Sequence, residues 1–141
     1  MNRTIAGLVF LLMIFSSNHV LAANWVHVAT NWFGQDKMYV DTESVFKTKD
    51  TIIFWELLVE DDTPDKANKT LYKLEATITS QRQQKNLEYL LYDPQGKETF
   101  RNKRSGSFSP VQKSSPADLC IDFALKHAKE GKDTGEVPVL P

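Results

Sequence analysis

The chain has 141 residues, enough for one domain with its own core, and its 17 Lys and Arg stand against 18 Asp and Glu. That near balance supplies no cationic field for a phosphate backbone, so nucleic acid is excluded as an expected partner. The lone cysteine, Cys120, excludes an intrachain disulfide framework.

The N-terminus opens Met1-Asn2-Arg3, runs through the uncharged apolar segment Ile5 to Phe15, and turns polar at Ser16-Ser17-Asn18-His19. The small-residue stretch Val20-Leu21-Ala22-Ala23 follows. A charged start, an apolar run of ~7–15 residues and a small-residue cut make up a secretory signal peptide. Residues 1–22 are expected to be removed by a cut after Ala22, with Ala23 as the alternative. A spanning helix needs ~20 apolar residues, more than this run supplies, so the membrane is met only through the signal before cleavage. The exported chain, in the periplasm or at the cell surface, keeps 119 residues with 16 basic against 18 acidic side chains.

Asn24 to Thr30, alternating around Trp25, Val26 and Val28, reads as a first strand. Asp36 to Phe46 is a second extended piece, and Thr51 to Glu60, apolar on both faces and rich in β-branched and aromatic residues, is a strand covered on both sides. The short polar Lys47-Thr48-Lys49-Asp50 between them predicts a hairpin. From Thr70, Tyr72, Leu74, Ala76 and Ile78 alternate with Lys73, Glu75, Thr77 and Thr79, as in a half-buried strand. Asp93-Pro94-Gln95-Gly96 suits a type I turn, joining a strand at Leu87–Tyr92 to one at Lys97–Phe100. A helix follows, with Ser115 as cap, Pro116 in its first turn and Asp118 at capping-box spacing. Its expected apolar stripe is Leu119, Cys120, Phe123, Ala124 and His127. Strands in succession followed by one helix predict an α+β domain over residues 24–130. Its antiparallel β-sheet of about six strands has the C-terminal helix packed on a face. Residues 131–141, with two prolines and no period, read as a flexible C-terminal tail.

The residue types that carry chemistry form no complete constellation. Asp41, Glu43 and Ser44 stand together, yet Ser44 lies in no nucleophile elbow and no spacing ties His27 or His127 to it. Asp and Ser at this point are better read as turn formers. Glu56, Glu75 and Glu88 fall on predicted strands, where two could face each other, but solvated strand faces are the simpler reading. Glu60, Asp61, Asp62 and Asp65 lack the alternation and central glycine of a calcium loop, so neither a metal nor a cofactor is expected. The candidate binding surface is the aromatic pair Trp32-Phe33 with the basic cluster Arg101, Lys103 and Arg104. Cys120 is read as a buried free thiol, with an intermolecular bridge as the alternative.

Several of these features, in order, resemble a known family. They are Trp25 soon after a signal peptide, Tyr39-Val40-Asp41-x-x-Ser44, Trp55 in a strand, Asp93-x-x-Gly96 in a hairpin, and Cys120 in a late helix. The chain resembles the bacterial surface-adhesin protein E family, small exported proteins with an antiparallel sheet and a packed helix. The resemblance implies a non-enzymatic binding domain whose partner is a host matrix or plasma protein such as vitronectin or laminin, with homodimers among its expected states. The family's second cysteine, which would fall near Thr77, is absent. A periplasmic envelope or inhibitor module that binds another bacterial protein is the alternative.

Overall fold

The computed structural model describes residues 22–31, 35–60 and 67–141. Residues 1–21 of the signal segment, Trp32, Phe33 and the acidic stretch 61–66 therefore lie outside the described residues. Six strands form the main sheet: β1 (Trp25–Thr30), β2 (Lys37–Asp41), β4 (Thr51–Val59), β5 (Lys69–Thr77), β6 (Gln83–Tyr92) and β7 (Glu98–Asn102). They are antiparallel neighbours in the order β1-β2-β4-β5-β6-β7. Three two-residue pieces trim it: β3 (Phe46–Lys47), β8 (Ser109–Pro110) and β9 (Lys129–Glu130). The β3–β9 pairing is parallel and ties the end of the single described helix, α1 (Pro116–Lys126), back to the sheet. The architecture is α+β, an antiparallel sheet with one helix packed on it.

Strands β2, β4 and β5 divide their apolar residues between two cores. Ile52 and Phe54 of β4, Leu74 and Ala76 of β5, and Val40 of β2 face α1 and pack with Cys120, Ile121 and Ala124. Trp55, Leu57, Leu71 and Leu90 face the other way. The helix starts where its sequence dictates. The Ser115 hydroxyl accepts the Asp118 N–H at 3.2 Å, and Pro116 takes a first-turn position where no N–H is needed. The buried stripe is rotated from the expected one. Cys120, Ile121 and Ala124 point inward, whereas Leu119 is 45% exposed and His127 lies at the surface. Ile121 and Ala124 at i, i+3 set the contact line, and Leu119 lies off it.

The tail and β5 also differ from expectation. Residues 131–141 lie against the second face of the sheet, where Val137 and Leu140 pack onto the Trp55 cluster. The prolines that remove helical period leave an irregular segment that side chains can still anchor. Because this face is covered, Lys73 of β5 is only 8% exposed, ion-paired with Asp133 of the tail and set over the Trp55 ring at 5.6 Å. The expected half-buried strand is thus covered on both sides. β6 begins at Gln83, earlier than its apolar residues suggest.

Candidate functional site

Asp41 ends β2 and is 2% exposed. Its Oδ1 accepts the backbone N–H groups of Asn24 at 2.8 Å and Glu43 at 3.1 Å, while Oδ2 accepts the Ser44 hydroxyl at 2.6 Å. One carboxylate satisfies donors on the strand entry and on the turn that follows, the use of Asp that turns favour. Glu43 turns outward to Lys129 Nζ at 3.0 Å and pins β9 beside β3. The polar group Asp41, Glu43 and Ser44 is engaged in architecture. Asp93 acts in the same way in the β6–β7 hairpin. Its carboxylate accepts the N–H groups of Gln95 and Lys97, and Gly96 closes the turn at φ +81°, a backbone region that glycine enters without strain.

The sheet separates Glu56 from the other two strand glutamates. Glu56 faces α1, opposite Val40 on one side and Tyr72 on the other, and is 6% exposed. Glu75 and Glu88 face the tail. Glu75 accepts the Thr51 hydroxyl at 3.1 Å and pairs with Lys85 at 3.2 Å; Glu88 lies 3.9 Å from Arg101. Glu56 therefore shares a face of the sheet with neither of them. Burial raises the Glu56 carboxyl to about 7, and a hydrogen bond from the Cys120 thiol opposes that rise. Burial, reinforced by the Glu56 charge, pushes the Cys120 thiol well above its ordinary value. Cys120 is thus a free thiol buried in the core whose partner is Glu56. Among the described residues, no group of three or more His, Cys, Asp or Glu side chains could hold a metal.

The basic cluster is split. Arg101 of β7 pairs with Leu90 in register and so shares the tail's side of the sheet, where it grips Glu98 through two bonds of 2.8 and 2.9 Å. This fork holds the Glu98 carboxyl below its usual range. Lys103 and Arg104 follow β7 and are exposed. An open groove of about 420 Å³ beside the helix start is lined by Arg82, Lys113, Asp118 and Asp122, but Arg82 is already bonded to Asp118 at 2.7 Å and to Asp122 at 2.6 Å.

A partly uncovered apolar row lies elsewhere. Helix α1 rests on β1, β2 and β4. Beyond it, the same face of β5, β6 and β7 carries Tyr72, Tyr89 and Phe100, with successive ring centroids 6.2 and 5.8 Å apart. Phe100 is 49% and Leu91, its cross-strand partner, 36% exposed. Asn102 holds the Tyr89 hydroxyl at 3.4 Å. The residues of this row appear in the sequence only as strand aromatics. The signal for it is geometric: a helix is about 10–12 Å wide and strands stand about 4.8 Å apart, so one helix covers only two or three of six strands.

These features define an α+β sheet-and-helix domain with an open aromatic half-face. Comparison with protein-family models, with curated proteins and with solved structures gives no match.

Proposed function

We propose that this chain is a non-enzymatic exported binding domain that engages a host matrix or plasma protein through the open half of its sheet. The observation that carries this reading is the Tyr72–Tyr89–Phe100 row, left uncovered by α1 and ending in a half-exposed phenylalanine. Exposed aromatic area is the usual source of binding energy at protein interfaces, and the exposed Lys97, Lys103 and Arg104, which flank β7 along the chain, offer charge for orientation. The non-enzymatic part is supported by how the candidate polar residues are used. Asp41 and Ser44 bond a turn, Glu56 is sealed under the helix, and Glu75 and Glu88 are ion-paired on the far side.

Export rests on the signal-like N-terminal sequence, and surface display on the resemblance to the adhesin family. Fractionation of the native cell, with protease shaving of intact cells, tests both. The protein is expected as a mature chain beginning near Ala23 and accessible from outside. A protein confined to the cytoplasm sinks the proposal, and one found only in soluble periplasm removes host adhesion from it.

A further inference from the structure

Strand β7 is an edge of the sheet: β6 lies on one side of it and, among the described residues, no strand lies on the other. In an antiparallel pair only alternate residues bond across, and the rest turn their N–H and C=O groups to the far side. The far side of β7 therefore presents backbone groups that no turn or loop of the described chain bonds. Glu98 to Arg101 are exposed, and Phe100 stands at the centre of the strand. Charge is the usual guard of such an edge, and here it has mainly one sign. Residues 97–104 hold the cations Lys97, Arg101, Lys103 and Arg104 against the single carboxylate of Glu98. Arg101 is engaged by Glu98, whereas Lys97, Lys103 and Arg104 are in no salt bridge with a described residue. The opposite edge, β1, carries no Lys, Arg, Asp or Glu. A second copy of this chain fits β7 poorly. Paired antiparallel about Phe100 it sets Lys97 opposite Lys103, and paired about Arg101 it opposes the two arginines, and like charges directly opposite are destabilising. An acidic strand instead meets cations at both ends. Its middle lies about 4.8 Å from β7, next to Phe100 at the open end of the Tyr72–Tyr89–Phe100 row.

We propose that the partner protein adds an extended acidic segment to β7 as a further strand of the sheet, with acidic side chains towards both ends of the segment and an apolar one beside Phe100. This rests on the reading of the open half-face as a binding surface and names what occupies its edge. Backbone bonds along the edge supply affinity, while Phe100 and the three unpaired cations select the segment. A sulfated polysaccharide meets the cations but uses neither the backbone edge nor the phenylalanine, so the observations favour a peptide.

The test titrates the mature chain into the fluorescent peptide Glu-Asp-Thr-Val-Val-Thr-Asp-Glu, whose acids flank an apolar centre. Saturable one-to-one binding is expected, with a Kd of about 100 µM or below. N-methyl groups on the central amides remove backbone donors and leave the charge, and are expected to weaken binding about tenfold or more. The variant carrying Lys97→Glu, Lys103→Glu and Arg104→Glu, changed only at exposed positions, is expected to reject this peptide and to take Lys-Lys-Thr-Val-Val-Thr-Lys-Lys instead. No binding by wild type at about 1 mM peptide overturns the proposal. So does equal binding of the N-methylated peptide, which reduces the contact to charge alone. A heparin oligosaccharide that binds where the peptide does not would give the cations to a polysaccharide and overturn it. A dimer in sedimentation velocity, broken by Phe100→Asp, would give the edge to a second copy and overturn it as well. The host-protein reading fails separately. Loss of peptide binding with vitronectin or laminin still held through Phe100 sinks strand addition alone, and peptide binding without either host protein sinks the host assignment alone.

Discussion

Replacing Glu56 by Gln tests the core where it is most sensitive to pH. The carboxyl has an ordinary value of 4.5 and titrates at about 7 in the folded chain, because burial under α1 disfavours its charge. A group whose folded value is raised contributes stability that is fully present below the unfolded value and is lost as pH rises through the folded one. Between about pH 5 and pH 8 the loss amounts to about 2–3 kcal/mol, a large fraction of a small domain's stability. The other titratable groups facing Glu56 stay protonated across this window, since burial raises both the Tyr72 hydroxyl and the Cys120 thiol. Glutamine keeps the shape of the neutral acid and cannot ionise. Urea unfolding of both proteins at several pH values is expected to show the variant gaining on wild type by about 2–3 kcal/mol from pH 5 to pH 8. Parallel stability curves, with a constant difference, would refute the reasoning and mean that Glu56 reaches water or a partner when charged.

Asp41→Ala leaves three donors without their acceptor and is expected to cost about 2–4 kcal/mol in denaturant unfolding, against about 1 kcal/mol for Ser44→Ala; a loss within error of zero would show the turn does not need its carboxylate. Cys120 is expected to stay unmodified by a thiol reagent until the chain unfolds, and rapid stoichiometric labelling of the native protein would contradict its place beneath the helix. The Asp118 carboxylate is held below its usual value by the Ser114 N–H, with Arg82 adding to the effect. Its contribution is present above the unfolded value and lost as pH falls through the folded one. Asp118→Asn should therefore cost about 1–2 kcal/mol near neutrality and shrink the acid-induced loss, and an unchanged acid profile would argue against it.

Local pattern made much of the fold legible. The β-branched run Thr51–Val59, the Asp93–Gly96 turn and the Ser115-Pro116 start are set by interactions within a few residues, and the structure has them where the sequence puts them. What pattern could not supply is which faces are covered. Lys73 alternates as a solvent residue, and only the tail, some 60 positions away, makes it buried. The expected strand begins at Leu87, yet Gln83, Gln84 and Lys85 extend β6, because pairing with β5 and with β8 satisfies their backbone groups. Leu119 counts as an apolar helix residue, but the rotation of α1 is fixed by its contacts with β1, β2 and β4. For the site, turn chemistry in the sequence already pointed to Asp41 and Ser44 as architecture. The aromatic row was hidden because Tyr72, Tyr89 and Phe100 meet only through strand pairing across 28 residues of chain.

The open aromatic half-face is the centre of the functional account, and one measurement bears on it most directly. Purified mature protein and its Phe100→Asp variant, both verified as folded, are titrated against immobilised vitronectin and laminin. The account predicts saturable binding of wild type to at least one of them and a loss of about tenfold or more in the variant, since a buried interface aromatic replaced by a charge costs upwards of about 1.4 kcal/mol. Failure of wild type to bind either protein would contradict the adhesive role, and equal binding by the variant would contradict the half-face as its seat.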